Sequence, residues 1–388
     1  MTYDVIVIGL GAMGAAATYQ LAKRGQKVLG IDRFTPPHAH GSSHGETRIT
    51  RLACGEGPEY TQFARRSHEI WRELERDTGA TLLVQNGFLA ISGAGPRAAN
   101  HENPAFLESS IEAARRANIA HESLNESDIK ARFKAFNISK GDYAYFEPEG
   151  GYVFPERCVD AQLKRTATLG AEVHLGETVA RFAPVEGHVE VVTDRAAYRA
   201  SKIIVSAGPW LPNFLRRDQA QVFRVRRQVL HWFKLREDAP LDYYRAENFP
   251  VYIWQIPARQ AIYGFPWTGE GAPTIKIATE QYDTTTTAET VDRTVTPQEI
   301  QTMHREFVAP YFPGASDVSD RTAVCLYTCV DNARFVIDRL PDDKRVIVAS
   351  PCSGHGFKHF AAIGQALAEL ATDGQSATFD LSKFGFAA

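Results

Sequence analysis

The stretch YDVIVIGLGAMGAAATYQLAKRGQKVLGIDRF (3–34) constrains the fold more than any other part of the chain. Val5 to Ile8 is a wholly apolar run, the pattern of a strand covered on both faces. Gly9-x-Gly11-x-x-Gly14 follows at once, then an alanine-rich segment that predicts a helix to about Lys23 with Gly25 as its stop. A second strand, Val28 to Ile31, ends in Asp32. Each position has a physical reason. Gly9 permits a tight turn, Gly11 lets a pyrophosphate approach the backbone, and Gly14 lets helix and strand pack closely. The helix N-terminus favours phosphate charge, and Asp32 can accept from ribose hydroxyls. Strand, glycines, helix and an acid ~20 residues on together make the dinucleotide-binding fingerprint. An acid rather than an arginine at Asp32 disfavours a 2′-phosphate, so FAD or NAD is expected over NADP.

Composition narrows the function classes. A length of 388 residues allows two or three domains, and 44% hydrophobic with 23% charged residues describes an ordinary globular protein. A net charge of -3 provides no basic footprint for nucleic acid. No apolar run approaches the ~18 residues of a membrane span, and the charged start is unlike a secretory signal. Five cysteines without a CxxC pair argue against a disulfide framework or a zinc ribbon. A cytoplasmic protein without a metal, a membrane or a nucleic-acid partner is therefore expected.

Farther along, 168–182 reads as another short strand. Residues 188–210 read as a hairpin feeding a buried strand, Ile203 to Ser206, which ends in a turn at Ala207, Gly208, Pro209 and Trp210. The segment 83–145 has the flavour of charged amphipathic helices. From 222 to 320 the chain is rich in aromatic and β-branched residues and predicts an antiparallel sheet. After residue 330 a strand (RVIVAS) and a helix return. Phe360, Ile363, Leu367 and Leu370 form the helix's apolar stripe, and Gly374 is its cap. The expected class is α/β (α+β two-domain). A Rossmann-like cofactor domain from 1–82, 146–215 and 321–388 would enclose a substrate domain with a mixed or antiparallel sheet and helices, 83–145 and 216–320.

Three stretches carry candidate chemistry. The loop PPHAHGSSHGETRITRLACGEG (36–57) holds His44, Arg48 and Arg51. Two arginines three apart can address one anion through their guanidinium forks, or they can simply be solvated loop charges. In SPCSGHGFKHF (350–360), Ser353 to Gly356 precede a helix, where free N–H groups converge, and Lys358 adds a full positive charge. An anion site and a cap with an incidental lysine are both consistent with that. In AVCLYTCV (323–330), a strand would place Cys325, Tyr327 and Cys329 on one face. A reducing setting disfavours a disulfide between the two cysteines, which leaves a reactive thiol or plain core.

With these motifs in order (GxGxxG with Asp32, PPHAHGSSHGETRITR, YGFP at 263–266, AVCLYT and SGHGFK), the chain resembles the monomeric sarcosine oxidase and N-methyltryptophan oxidase family from end to end. The resemblance implies FAD in a glutathione-reductase-like domain. The expected FAD contacts are Gly9, Gly11, Ala12, Met13, Gly14, Asp32, Arg33, Ser42, Ser43, Thr47, Arg48, Val179, Ala207, Gly208, Trp210, Gly354, His355, Gly356, Phe357 and Lys358. Cys325, rather than Cys329, matches the family cysteine joined covalently to the flavin, which leaves Cys329 as a small core filler. Arg51 and Lys358 would grip the substrate carboxylate, Arg48 and His44 would lie against the flavin, and Tyr263 and Tyr327 would line the substrate cavity. Lys276 matches the lysine that activates dioxygen.

One departure bears on the substrate. Where the family usually has a histidine four residues after that lysine, this chain has Glu280, and a longer preceding loop carries Trp267 and Glu270. The expected activity is oxidation of a secondary amino acid bulkier or more basic than sarcosine, by a monomer that releases hydrogen peroxide. The alternative for Glu280 is a solvated residue without a role. Pipecolate-type, N-methyltryptophan-type and fructosyl-amino-acid substrates all remain open. Two other readings share part of the evidence. An NAD-dependent dehydrogenase would use the first 33 residues but gives SGHGFK and AVCLYT no role. A catalytically silent flavin-binding protein would have no use for Lys276, Arg51, Lys358 and Cys325.

Overall fold

A computed structural model describes residues 2–93, 103–257 and 260–386. Its first unit runs β1 (Thr2–Ile8), α1 (Ala12–Lys23) and β2 (Val28–Asp32). β1 lies between β2 and the strand Ala197–Val205, parallel to both, with Ile6 opposite Leu29 on one side and Ile203 on the other. Glu172–Leu175 pairs parallel to the outer edge of β2, and Val346–Ser350 pairs parallel to the C-terminal half of Ala197–Val205. The parallel strands are flanked by antiparallel ones, Val336–Arg339 at Val346–Ser350 and the hairpin Val179–Val185/His188–Thr193 at the N-terminal half of Ala197–Val205. Both faces are covered, so β1 and β2 are apolar rather than alternating.

The glycines act by backbone proximity. Gly9 has φ +87°, and a Cβ on Gly14 would lie 1.7 Å from the Gly9 carbonyl oxygen. α1 packs against the helices Pro155–Thr168 and Phe360–Thr372. A Cβ on Gly364 would come 2.4 Å from that of Ala16, so the last helix approaches α1 almost backbone to backbone.

The second sheet has eight strands in the order Ala315–Cys329, Arg224–Leu235, Thr274–Thr279, Ile262–Phe265, Val251–Gln255, Phe88–Ser92, Tyr143–Glu147, Glu122–Asn125. All neighbours are antiparallel except Val251–Gln255 with Phe88–Ser92. Its first two strands register Gln228 with Cys325, Arg226 with Tyr327 and Arg224 with Cys329, so the two cysteines and Tyr327 share a face. A small third sheet joins Arg48–Thr50 to Gly151–Val153 and Leu83–Val84.

Three details differ from the sequence reading. The segment 83–145 contains the helices Phe106–Arg116 and Glu126–Arg132, but also three strands of the second sheet. Phe88–Ser92 is buried throughout, so it shows no alternation that periodicity could detect. Residues 168–182 hold two strands, divided at Gly176 with φ +64°. The boundaries expected at 145/146 and 320/321 fall inside Tyr143–Glu147 and Ala315–Cys329, whose hydrogen-bonded ladders continue across them. Among the described residues no helix is long and apolar enough to cross a membrane.

Gly14→Ala tests the backbone contact. Overpacking there is expected to cost about 1–3 kcal/mol, seen as a lower urea midpoint; an unchanged midpoint would show that turn and helix can separate freely.

Candidate active site

A cavity of about 360 Å³ opens at the carboxyl ends of β1, β2 and Ala197–Val205, the place where open α/β sheets bind ligands. Gly9, Gly11, Ala12, Met13, Asp32, Arg33, Ser42, Ser43, Val179, Ala207, Gly208, Trp210, Gly354, Gly356 and Phe357 line it, together with Arg48 and Tyr327. The wall fits a dinucleotide. A Cβ on Gly11 would meet only Ser43 Oγ, at 3.5 Å, and would otherwise fill cavity space. The N-terminal turn of α1 faces the same space, with Ala12 N donating to Ser43 Oγ at 3.1 Å. Thr328 Oγ1, buried on the wall, has no hydrogen-bond partner among the described residues.

Asp32 is buried and accepts Leu10 N at 2.7 Å and Phe34 N at 2.8 Å, one at each carboxylate oxygen. Burial raises its pKa, while these N–H groups and the neighbouring His38 act against that.

Five expected cofactor residues stand behind or beside this wall. Gly14 serves the turn–helix packing. Thr47 turns its carbonyl and hydroxyl toward Lys276. Cys325 is buried, 3.3 Å from Arg48 Nη2 and 3.6 Å from the Ser42 carbonyl. His355 and Lys358 belong to a second, smaller cavity. His44 borders a third cavity, with Glu46, Glu156, Trp232 and Arg321, and not the large one. Burial pushes its pKa down to about 4.

The small cavity, about 50 Å³, brings together Arg48, Arg51, Tyr263, Glu280, Tyr327 and Lys358 from five separate stretches of chain. It shares Arg48, Tyr327, Gly354 and Phe357 with the large cavity, so the two abut. Tyr327 and Tyr282 donate to opposite oxygens of Glu280 at 3.3 and 3.2 Å, and the Tyr263 and Tyr327 hydroxyls are 3.5 Å apart. Burial, first of all, raises the pKa of Tyr263 and Tyr327, so both remain protonated donors. Glu270 and Trp267 are not lining residues; Glu270 pairs with Arg157 at the surface. Cys329 is buried, as expected for a core filler.

Lys276 is 2% exposed, and its Nζ donates to the Gly45 carbonyl at 2.6 Å and the Thr47 carbonyl at 2.7 Å. It lies over the rings of Phe265 and Trp232 at 4.3 and 5.3 Å. Burial lowers its pKa well below the usual lysine range, and Arg48 adds to that.

The family model described as FAD dependent oxidoreductase matches residues 4–370. The chain belongs to that family. Monomeric sarcosine oxidase of Streptomyces avermitilis is 36% identical over 97% of this chain and 95% of that protein. N-methyl-L-tryptophan oxidase of Yersinia pestis is 33% identical over 100% and 99%. Among solved structures, the amino acid oxidase NikD superposes with a TM-score of 0.84 at 21% identity, covering 99% of this chain and 97% of that one. This member of the family is thus an FAD-dependent enzyme of the amine oxidase class, with the fold of the amino acid oxidases.

One residue behind the small cavity was not singled out in the sequence. Glu56 Oε1 accepts from Arg51 Nη2 at 2.7 Å and from Lys358 Nζ at 3.1 Å, with all three side chains almost fully buried. Arg51 is also stacked on Phe88 and Phe106, at 5.0 Å from each ring. The only hint was an acid in the loop GEG, beside the second arginine. Glu56→Ala would leave two buried cations uncompensated, a loss of about 3–5 kcal/mol. The urea midpoint should fall accordingly and recover in part when a small monocarboxylate is added; an unchanged midpoint would show that the cations are hydrated.

Proposed function

We propose that the chain oxidises secondary amino acids with FAD as electron acceptor and dioxygen as terminal oxidant, releasing hydrogen peroxide. The observation that carries this reading is the small cavity, with Arg51 and Lys358 at one place, Glu280 and two tyrosines at another, and Arg48 and Tyr327 shared with the cofactor cavity. Arg51 and Lys358 bind the substrate carboxylate as charge-assisted hydrogen-bond donors, the role the Glu56 carboxylate fills within the protein. Tyr263 and Tyr327 fix the amine and exclude water from it. Bound FAD supplies a two-electron acceptor. The amine loses a hydride and a proton to become an imine, which water then hydrolyses. Two electrons and two protons convert dioxygen to peroxide, and the Lys276 ammonium stabilises negative charge on the oxygen as it develops.

The large cavity supports the cofactor contacts expected from the sequence, with His44 and Thr47 acting through Lys276 and its loop. Cys325 is the covalent anchor in this reading: it is the cysteine that matches the family motif, and its sulfur contacts Arg48 and the Ser42 carbonyl, two residues that line the cavity. Cofactor and substrate domains divide along the two large sheets, and the enzyme works as a cytoplasmic monomer with its four other cysteines as free thiols. A panel of N-methyl and cyclic amino acids should yield peroxide with at least one member. If reduction of the cofactor proceeds but no peroxide forms, the enzyme is a dehydrogenase. Denatured wild-type protein should retain its flavin by mass, and Cys325→Ala should release it while Cys329→Ala should not. Retention in Cys325→Ala would contradict the anchor.

The substrate carries bulk or positive charge beyond sarcosine, since a carboxylate, Glu280, lines the cavity. Glu280→Gln should weaken kcat/KM for the more basic members of the panel by about 10-fold, one charged contact's worth, and spare the neutral ones. An unchanged specificity profile would remove Glu280 from recognition.

A further inference from the structure

The lysine proposed to meet dioxygen is held by a turn whose own conformation needs holding. Gly45 has φ +101° and Glu46, a residue with a side chain, has φ +70°. Left-handed backbone at a non-glycine position costs free energy and persists only where the surroundings enforce it. Here one carboxylate enforces it. Glu156 Oε1 accepts the Gly45 N–H at 2.6 Å and the Glu46 N–H at 3.2 Å. The other side of the same turn presents the Gly45 and Thr47 carbonyls to Lys276 Nζ. Glu46 is tied down separately, by Trp232 Nε1 at 2.5 Å and by Arg321 at 2.7 Å.

We propose that Glu156 is a positioning residue for Lys276: it clamps the N–H side of the Gly45–Glu46 turn so that the carbonyl side grips the lysine head group. Glu156 stands in the first turn of the helix Pro155–Thr168, where an acid also complements the helix dipole. That ordinary role alone would not require its oxygen to meet two N–H groups of a loop more than a hundred residues away. The charged and titratable groups facing Lys276 are Arg48, Glu46, Glu156, Cys325 and His44, and the Phe265 and Trp232 rings form the rest of its surroundings. Arg48 disfavours the ammonium, whereas Glu46 and Glu156 favour it. Removing the Glu156 charge therefore lowers the lysine's pKa further.

The inference rests on the reading of Lys276 as the group that meets dioxygen, and the two can fail separately. The experiment uses the FAD-loaded protein. Each variant is reduced anaerobically by substrate and then mixed with oxygen across a pH series, and deuterium exchange of the segment containing Gly45 and Glu46 is followed alongside. Glu156→Ala should reduce at the wild-type rate, re-oxidise at least about 10-fold more slowly, and exchange faster at the turn. Glu156→Gln keeps an acceptor and loses the charge. Its re-oxidation should match wild type at low pH and decline at a lower pH than wild type does. Wild-type re-oxidation by Glu156→Ala, or an unshifted pH profile in Glu156→Gln, would overturn the proposal. Lys276→Met is the control: if it alone re-oxidises normally, the reading of the lysine falls and takes the proposal with it. If Lys276→Met is slow and Glu156→Ala is not, only the role of Glu156 is lost.

Discussion

The Arg48 guanidinium joins the two halves of the site. It donates to the Thr47 and Ser42 carbonyls and lies 3.3 Å from the Cys325 sulfur, on a side chain that lines both the cofactor cavity and the small cavity. Its backbone is anchored in the three-stranded sheet, while Cys325 comes from an edge strand of the second large sheet. A half-buried charge satisfied by acceptors from the loop and a partner on a distant strand ties the second sheet to the cofactor-binding loop. The small cavity lies where those surfaces meet.

The site buries cations in two different ways. Arg51 and Lys358 share a carboxylate, Glu56, so their charges are neutralised by an ion partner. Lys276 is held mainly by neutral carbonyls, with the nearest carboxylates one turn away. Ion pairing favours exchange of one carboxylate for another, which suits binding of an amino acid. Carbonyl dipoles hold a cation in place while leaving its charge uncancelled, which suits stabilisation of an anion that forms transiently.

How much was legible depended on how local each constraint is. The β1–α1–β2 unit is local and fully specified by spacing, from the packing role of Gly14 to the position of Asp32. The shared face of Cys325 and Tyr327 follows from strand period alone. Glu56 and Glu156 were not legible. Glu56 meets a lysine 302 residues on, and Glu156 looks like any acid in a first helical turn. Lys276 was found only through family resemblance, since a lysine within TIKIAT reads as a solvent-facing strand residue until its burial is known. The buried strand Phe88–Ser92 was hidden for the opposite reason, being too uniformly apolar to show a period.

If the small cavity is the substrate side of a bound flavin, coupled to it through Arg48 and Tyr327, a carboxylate that enters it must be felt by the flavin. The most direct measurement is titration of the FAD-loaded protein with amine-free monocarboxylates, followed by visible absorption of the flavin and by calorimetry together. The flavin spectrum should show a saturable perturbation with the same dissociation constant as the heat, both abolished by Arg51→Met. Calorimetric binding that depends on Arg51 and leaves the flavin spectrum untouched would contradict that coupling.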